Sequence, residues 1–154
     1  MRALHITLLA VGMAVGLLGA AHAQGARHFT VPLSGAAEVP GPGDPAGDGT
    51  AALKLDVTRS QLCYELKVAN VTLPATGAHI HRGLATESGG VVVLLTAPGA
   101  NGVSNGCTAV THELAQEILA NPAQFYVNVH TRDRPAGALR GQLAASPAAK
   151  PGQQ

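Results

Sequence analysis

The stretch "TAALKLDVTRSQLCYELKV", Thr50 to Val68, alternates apolar and polar residues twice over. Leu53, Leu55 and Val57 point one way while Lys54 and Asp56 point the other; after a short polar gap, Leu62, Tyr64, Leu66 and Val68 oppose Cys63, Glu65 and Lys67. Period two is the side-chain repeat of a strand with one buried face, and the polar Thr58–Gln61 is short enough for a hairpin connection. Working outward, similar runs occur at Arg27–Leu33, Thr76–His81, Val91–Leu95, Phe125–His130 and Leu139–Leu143. Seven short strands separated by Gly, Pro and Asn predict an all-β fold, an antiparallel Greek-key sandwich or barrel. The Gly/Pro-rich segments Pro40–Gly49 and Thr96–Gly106 read as long loops.

One segment breaks the alternation. In "THELAQEILANP", Thr111 to Pro122, residues Leu114, Ile118 and Leu119 share a helical side, Thr111 is available as N-cap, Glu113 suits the helix dipole, and Asn121-Pro122 ends the run. One short helix is expected to cross an end of the sandwich.

The N-terminus sets compartment and size. A basic start at Arg2, an apolar run from Leu8 to Ala21 and the small-residue "AHA" before Gln24 predict a signal peptide over residues 1–23, and hence a periplasmic or secreted protein. Removing it from the 154-residue chain leaves 131 residues, one domain over 24–145 followed by a tail, 146–154, expected to be disordered. The mature chain is electrically balanced, because Arg2 leaves with the signal and reduces the 10 basic residues to match the 9 acidic ones. That balance argues against nucleic acid or an anionic membrane as partner. Cys63 and Cys107 are expected to form a disulfide in the oxidising compartment; the alternative, a pair of thiolate ligands, lacks a CxxC or Cys-x-His cluster.

Five histidines survive cleavage, and "GAHIHRG" (Gly77–Gly83) and "FYVNVHT" (Phe125–Thr131) hold three of them. On strands, His79 and His81 share a face opposite Ile80, and Tyr126, Asn128 and His130 share a face opposite Phe125, Val127 and Val129. The apolar sets must face the core, which puts all three imidazoles on the outer, polar side of the sheet. Either they are ordinary surface positions or, if the strands are neighbours, they chelate one ion; nitrogens about 3 to 4 Å apart would favour the ion. Imidazole nitrogen is a common ligand for copper and zinc, and sequence does not separate copper from iron in a three-histidine site. A blue-copper carrier is disfavoured, since it wants a His2Cys set and usually a Met, and both methionines lie within the signal. The fourth position is open among His112, on the first turn of the helix, His28, on the first strand, and water. Other signals are thin: Asp44 and Asp48 are too few carboxylates for a calcium cage, no nucleophile elbow or phosphate loop occurs, and four mature aromatics make a poor stacking platform.

The blocks "GAHIHRG", "GGVVVLL" and "NPAQFYVNVHTRDRPAGALRGQL" resemble the CHRD domain, named for chordin and widespread in exported bacterial proteins. The resemblance runs from about Arg27 to Leu143 and implies an immunoglobulin-like or Cu/Zn-dismutase-like all-β domain, but no single activity. The candidate ligands also occur in an order similar to that of copper-zinc superoxide dismutases: His79-x-His81, then "NGCTAVTH" ending at His112, then "VNVH" ending at His130, then Arg140. The spacings differ, the only partner for Cys107 lies upstream at Cys63, and no zinc subsite is present, so this likeness implies copper without zinc.

Such chemistry would need redox-tolerant nitrogen ligands, an open position and a cation to attract a small anion such as superoxide. Arg140 is the candidate for that cation, with Arg82 and Arg132 adding to the field. The competing reading makes "RGQ" a structural corner in which Arg140 binds loop carbonyls. Two functions follow: a superoxide dismutase-like copper enzyme, or a non-catalytic module that binds a protein or buffers metal.

Overall fold

The computed structural model describes residues 26–144, so the expected signal peptide and the tail from Ser146 lie outside the described residues. Eight strands form: β1 (Arg27–Ser34), β2 (Asp48–Asp56), β3 (Gln61–Ala69), β4 (Gly77–Arg82), β5 (Val91–Leu95), β6 (Val103–Ala109), β7 (Phe125–His130) and β8 (Leu139–Gln142). They make one antiparallel sheet in the order β5-β4-β7-β8-β1-β2-β3-β6, rolled into a nearly closed barrel. The fold class is therefore the expected one.

The hairpin that opens the fold is real: β2 and β3 pair in full register, with Leu53 opposite Tyr64 and Leu55 opposite Leu62. Their apolar faces join Phe29, Val31 and Leu33 of β1, Ile80 of β4 and Val127 and Val129 of β7 in a single core. Burying each such side chain stabilises the fold by about 1.5 to 3 kcal/mol.

Where β5 and β6 meet, the sheet has a seam without a backbone ladder, and side chains stitch it. The Tyr64 hydroxyl donates to Thr96 Oγ1 at 3.0 Å and accepts from Thr96 N at 2.8 Å, while Ser104 Oγ donates to Thr96 O at 2.7 Å.

β6 corrects the sequence reading, which placed Val103–Gly106 in a loop. Asn105-Gly106 carries turn chemistry, yet here Gly106 lies in a strand directly opposite Tyr64. A Cβ on Gly106 would come within 2.9 Å of the Tyr64 hydroxyl oxygen, so the glycine leaves room for the tyrosine that stitches the seam.

The helix α1 (His112–Ala120) forms where expected, and the Thr111 side chain caps it by accepting from Leu114 N at 3.1 Å. It buries Ala115 and Ile118 against the core, with Leu114 and Leu119 half-covered beside them.

Cys63 and Cys107 face each other across β3 and β6 and are joined by a disulfide that closes a sequence separation of 44 residues. Chain-entropy arguments assign a loop of that size about 3 to 4 kcal/mol. Replacing both cysteines by serine is expected to lower the unfolding free energy by about 3 kcal/mol, and reductant applied to the wild type should give the same loss in a denaturant titration.

Candidate metal centre

β4 and β7 are neighbours, and their register sets Gly77 opposite His130, His79 opposite Asn128 and His81 opposite Tyr126. Because every second residue shares a face, the three histidines, Tyr126 and Asn128 all lie on the side away from Ile80, Val127 and Val129. On the other flank β7 pairs with β8, which places Arg140 opposite Asn128 and Gln142 opposite Tyr126.

This outer face is not open to water, a departure from the expected polar surface. Tyr126, Asn128 and Arg140 are buried and the three histidines half-buried. Three segments cover them: the strap Gly83–Gly90 between β4 and β5, the segment after β1 that carries Glu38, and the turn Thr131–Gly137 between β7 and β8.

One ring nitrogen from each of His79, His81 and His130 lies within 4.8 Å of the others. The ring centroids are 5.1 Å apart for His79 and His130, 5.6 Å for His79 and His81, and 6.4 Å for His81 and His130. A tetrahedral ion with metal–nitrogen bonds of about 2.0 to 2.1 Å would draw such nitrogens somewhat closer together.

The hydrogen bonds decide which nitrogens face the cluster. His81 Nδ1 lies 2.9 Å from the Gly89 carbonyl oxygen and His130 Nδ1 lies 3.0 Å from that of Pro135. A carbonyl only accepts, so both Nδ1 atoms carry the proton, and in the neutral rings both Nε2 atoms keep their lone pairs. Those two Nε2 atoms and His79 Nδ1 are the only buried side-chain nitrogens or oxygens among the described residues that have no hydrogen-bond partner. Leaving such an atom unsatisfied costs about 1 to 3 kcal/mol, so three of them grouped together mark the position as a candidate cation site. Backbone carbonyls on the far nitrogen also orient metal-binding imidazoles in general.

Electrostatics keep two of the rings neutral. Burial, followed by the nearby His130 and His81 rings, holds His79 below the usual 6.5. Burial does the same for His81, opposed by its bond to Gly89 and aided by His130 and Arg140.

The other candidates do not join the cluster. His112 is exposed on α1, with Nδ1 3.2 Å from the Val57 carbonyl oxygen and Nε2 3.0 Å from Gln116 Nε2. His28 is exposed on β1 opposite Lys54. Neither belongs to the group whose ligand atoms lie within 4.8 Å of one another. Asp44 and Asp48 are engaged by Ala46 N and Asn70 Nδ2. Both cysteines are consumed by the disulfide, which removes thiolate ligation.

Arg140 is 1% exposed, and its guanidinium donates to the carbonyls of Glu87 at 2.8 Å and Leu84 at 2.7 Å, the arrangement of the structural-corner reading. Arg82 is paired with Glu117 at 2.5 Å, and the exposed Arg132 with Asp133 at 3.4 Å.

Sequence reasoning missed Glu38, whose carboxylate accepts from Asn128 Nδ2 beneath the covering loop. Nothing in "GAAEVPG" distinguishes it from a surface residue. Burial raises its pKa to about 7, against the lowering pull of Arg140, of the Asn128 bond and of a backbone bond to Val39.

The chain belongs to the CHRD domain family. The family model matches residues 29–143, which takes in the last six residues of β1, the other seven strands and the histidine cluster. No curated protein and no solved structure matches the chain. No helix among the described residues is long and apolar enough to cross a membrane.

A carboxyl whose folded pKa exceeds its unfolded value makes the native state bind the proton more tightly, so stability falls as pH rises between the two values. Relative to Glu38→Gln, wild-type CHRD domain is therefore expected to lose stability between pH 4.5 and about 7 and to level off above. Denaturant titrations of both proteins across that range check it; parallel curves would remove the buried-carboxyl account.

Proposed function

We propose that this CHRD domain is an exported metal-binding protein in which His79, His81 and His130 hold one copper ion, and that the bound ion disproportionates superoxide. The observation that carries the reading is the set of three converging imidazole nitrogens without hydrogen-bond partners. Neutral nitrogen donors suit copper, zinc and iron; among divalent ions at such a site copper binds tightest, and with both cysteines in a disulfide no thiolate competes. Copper at such a site would supply a one-electron couple between Cu(II) and Cu(I). The chain's part is to lower the proton affinity of His79 and His81 by burial, to fix the ring orientations of His81 and His130 through Gly89 and Pro135, and to cover one side of His81 with the Tyr126 ring. Export is supported by the sequence pattern of Met1–Ala23.

A second reading, a module that binds copper without turning it over, is favoured by Arg140. Its donors are committed to the strap, so the cation that would draw in superoxide is missing from its expected place.

Residues 24–145 are expected to retain one equivalent of Cu(II) after a chelating wash, with nitrogen hyperfine structure in the electron paramagnetic resonance spectrum. The His79→Ala/His81→Ala/His130→Ala variant should retain none while its circular dichroism is unchanged. Superoxide removal by the loaded wild type, absent in the variant, supports the enzyme; retained copper without removal supports the storage reading, and equal copper in both proteins rejects the site. Because burial holds His79 and His81 below 6.5, copper affinity is expected to be nearly flat above that pH and to fall below it as protons compete.

A further inference from the structure

Arg140 lies two strands from the histidine pair, yet its hydrogen bonds lead back to one of them. Its guanidinium grips the strap at the carbonyls of Leu84 and Glu87, and it is held from below by Gln142 Oε1 at 3.3 Å. Gln142 Nε2 donates to the Gly83 carbonyl at 2.8 Å and Tyr126 Oη accepts from Gly89 N at 3.0 Å, so the strap is fastened at both ends and in the middle. The carbonyl at its far end, Gly89 O, is the acceptor for His81 Nδ1.

A second contact follows the same line. The Arg140 guanidinium carbon sits 3.5 Å from the centre of the Tyr126 ring, and the His81 ring is stacked on Tyr126 at 4.8 Å with an interplanar angle of 8°. Two groups that close to one ring centre cannot share a face of it, and they come from strands on opposite sides of β7. His81, Tyr126 and Arg140 thus form a three-layer stack, closed at the top by the strap.

We propose that Arg140 is the positioning residue of the histidine cluster: acting through the strap and through Tyr126, it fixes His81 in the tautomer and ring orientation that turn Nε2 toward His79 and His130. The role as a ligand-orienting device rests on the metal reading above; the orientation of His81 does not. Nothing comparable connects Arg140 to His130, whose Nδ1 is held by Pro135 on a separate turn. That asymmetry makes His130 an internal control, because a general loosening of the domain would affect both rings.

The test compares wild type, Arg140→Lys and Gly89→Ala, each as the metal-free protein. Lysine keeps the charge but cannot reach two carbonyls with a planar fork. Gly89 perturbs the far end of the strap directly, since a Cβ there would lie 1.6 Å from the Arg82 carbonyl oxygen and must shift the segment that carries the His81 acceptor. Ring nitrogen chemical shifts report the tautomer of each histidine. The expected result is that His81 changes from a single Nδ1-protonated form to a mixture in both variants while His130 is unchanged, and that copper affinity falls about ten- to a hundredfold. Unchanged His81 shifts in folded variants, or equal changes in His81 and His130, would overturn the proposal. If Arg140→Lys does not fold, Arg140→Gln, which shortens the side chain away from the two strap carbonyls and leaves Gly89 in place, decides instead. If wild type holds no copper but His81 still responds, the metal reading fails and the positioning role stands.

Discussion

β7 is paired on both sides, through six residue pairs with β4 and four with β8. Much of the outer face follows from that arrangement. A strand held on both flanks has its register fixed twice, and a one-residue slip in either ladder would exchange the core residues Val127 and Val129 for Asn128 and His130. The apolar side of β7 therefore enforces the polar side: burying two valines obliges Tyr126, Asn128 and His130 to stand beside His81, His79 and Gly77. The histidine cluster is a consequence of hydrophobic register; no hydrogen bond joins one of its rings to another.

Such a face is costly to cover, and the domain covers it with polar chemistry. Arg140 is a buried cation without a salt bridge among the described residues; it is satisfied by two loop carbonyls and an aromatic face. Glu38 meets the amide of Asn128, which also donates to the Leu139 carbonyl at 3.2 Å. Buried charges are tolerated only when their hydrogen-bonding capacity is met, so these residues commit the loops above them to one docked arrangement. That explains why the long connections, despite their Gly/Pro content, are not free ends of the fold: the segment after β1 reaches down through Glu38 to the Asn128 amide, and the strap after β4 is held from beneath by Arg140.

Much of this was legible in the sequence where a strand buries one face and shows the other. The alternation of Leu53, Leu55, Leu62, Tyr64 and Leu66 located the central hairpin, and the same rule put His79, His81 and His130 on a common side. The cap at Thr111 was readable because its chemistry is local. What the sequence did not disclose depends on contacts distant along the chain. Gly106 reads as a turn until Tyr64 is seen opposite it. Glu38 reads as a loop carboxylate until Asn128, ninety positions later, is brought beneath it. The order of the strands, and with it the adjacency of β4 and β7, is a property of the closed sheet that no local pattern encodes. His112 and His28 show the converse: a histidine in a suggestive order along the chain carries no weight when its strand or helix lies elsewhere.

The two carbonyls that orient His81 and His130 come from different loops, and this bears on how a cluster of lone pairs can persist without an ion. Imidazole is free to exchange tautomers in water, where either nitrogen finds a partner. Inside the domain, Gly89 O and Pro135 O each accept a hydrogen bond from one ring, so reversing either tautomer would give up that bond. The unsatisfied nitrogens are thus held in place by bonds made on the other edge of each ring. His79 has no corresponding carbonyl among its hydrogen bonds; its orphaned atom is Nδ1, and its position depends on packing beside His130 and over Gly77. A cluster with two rings fixed by backbone acceptors and a third placed by packing is partly preorganised. It presents two nitrogens at set positions and a third that can adjust.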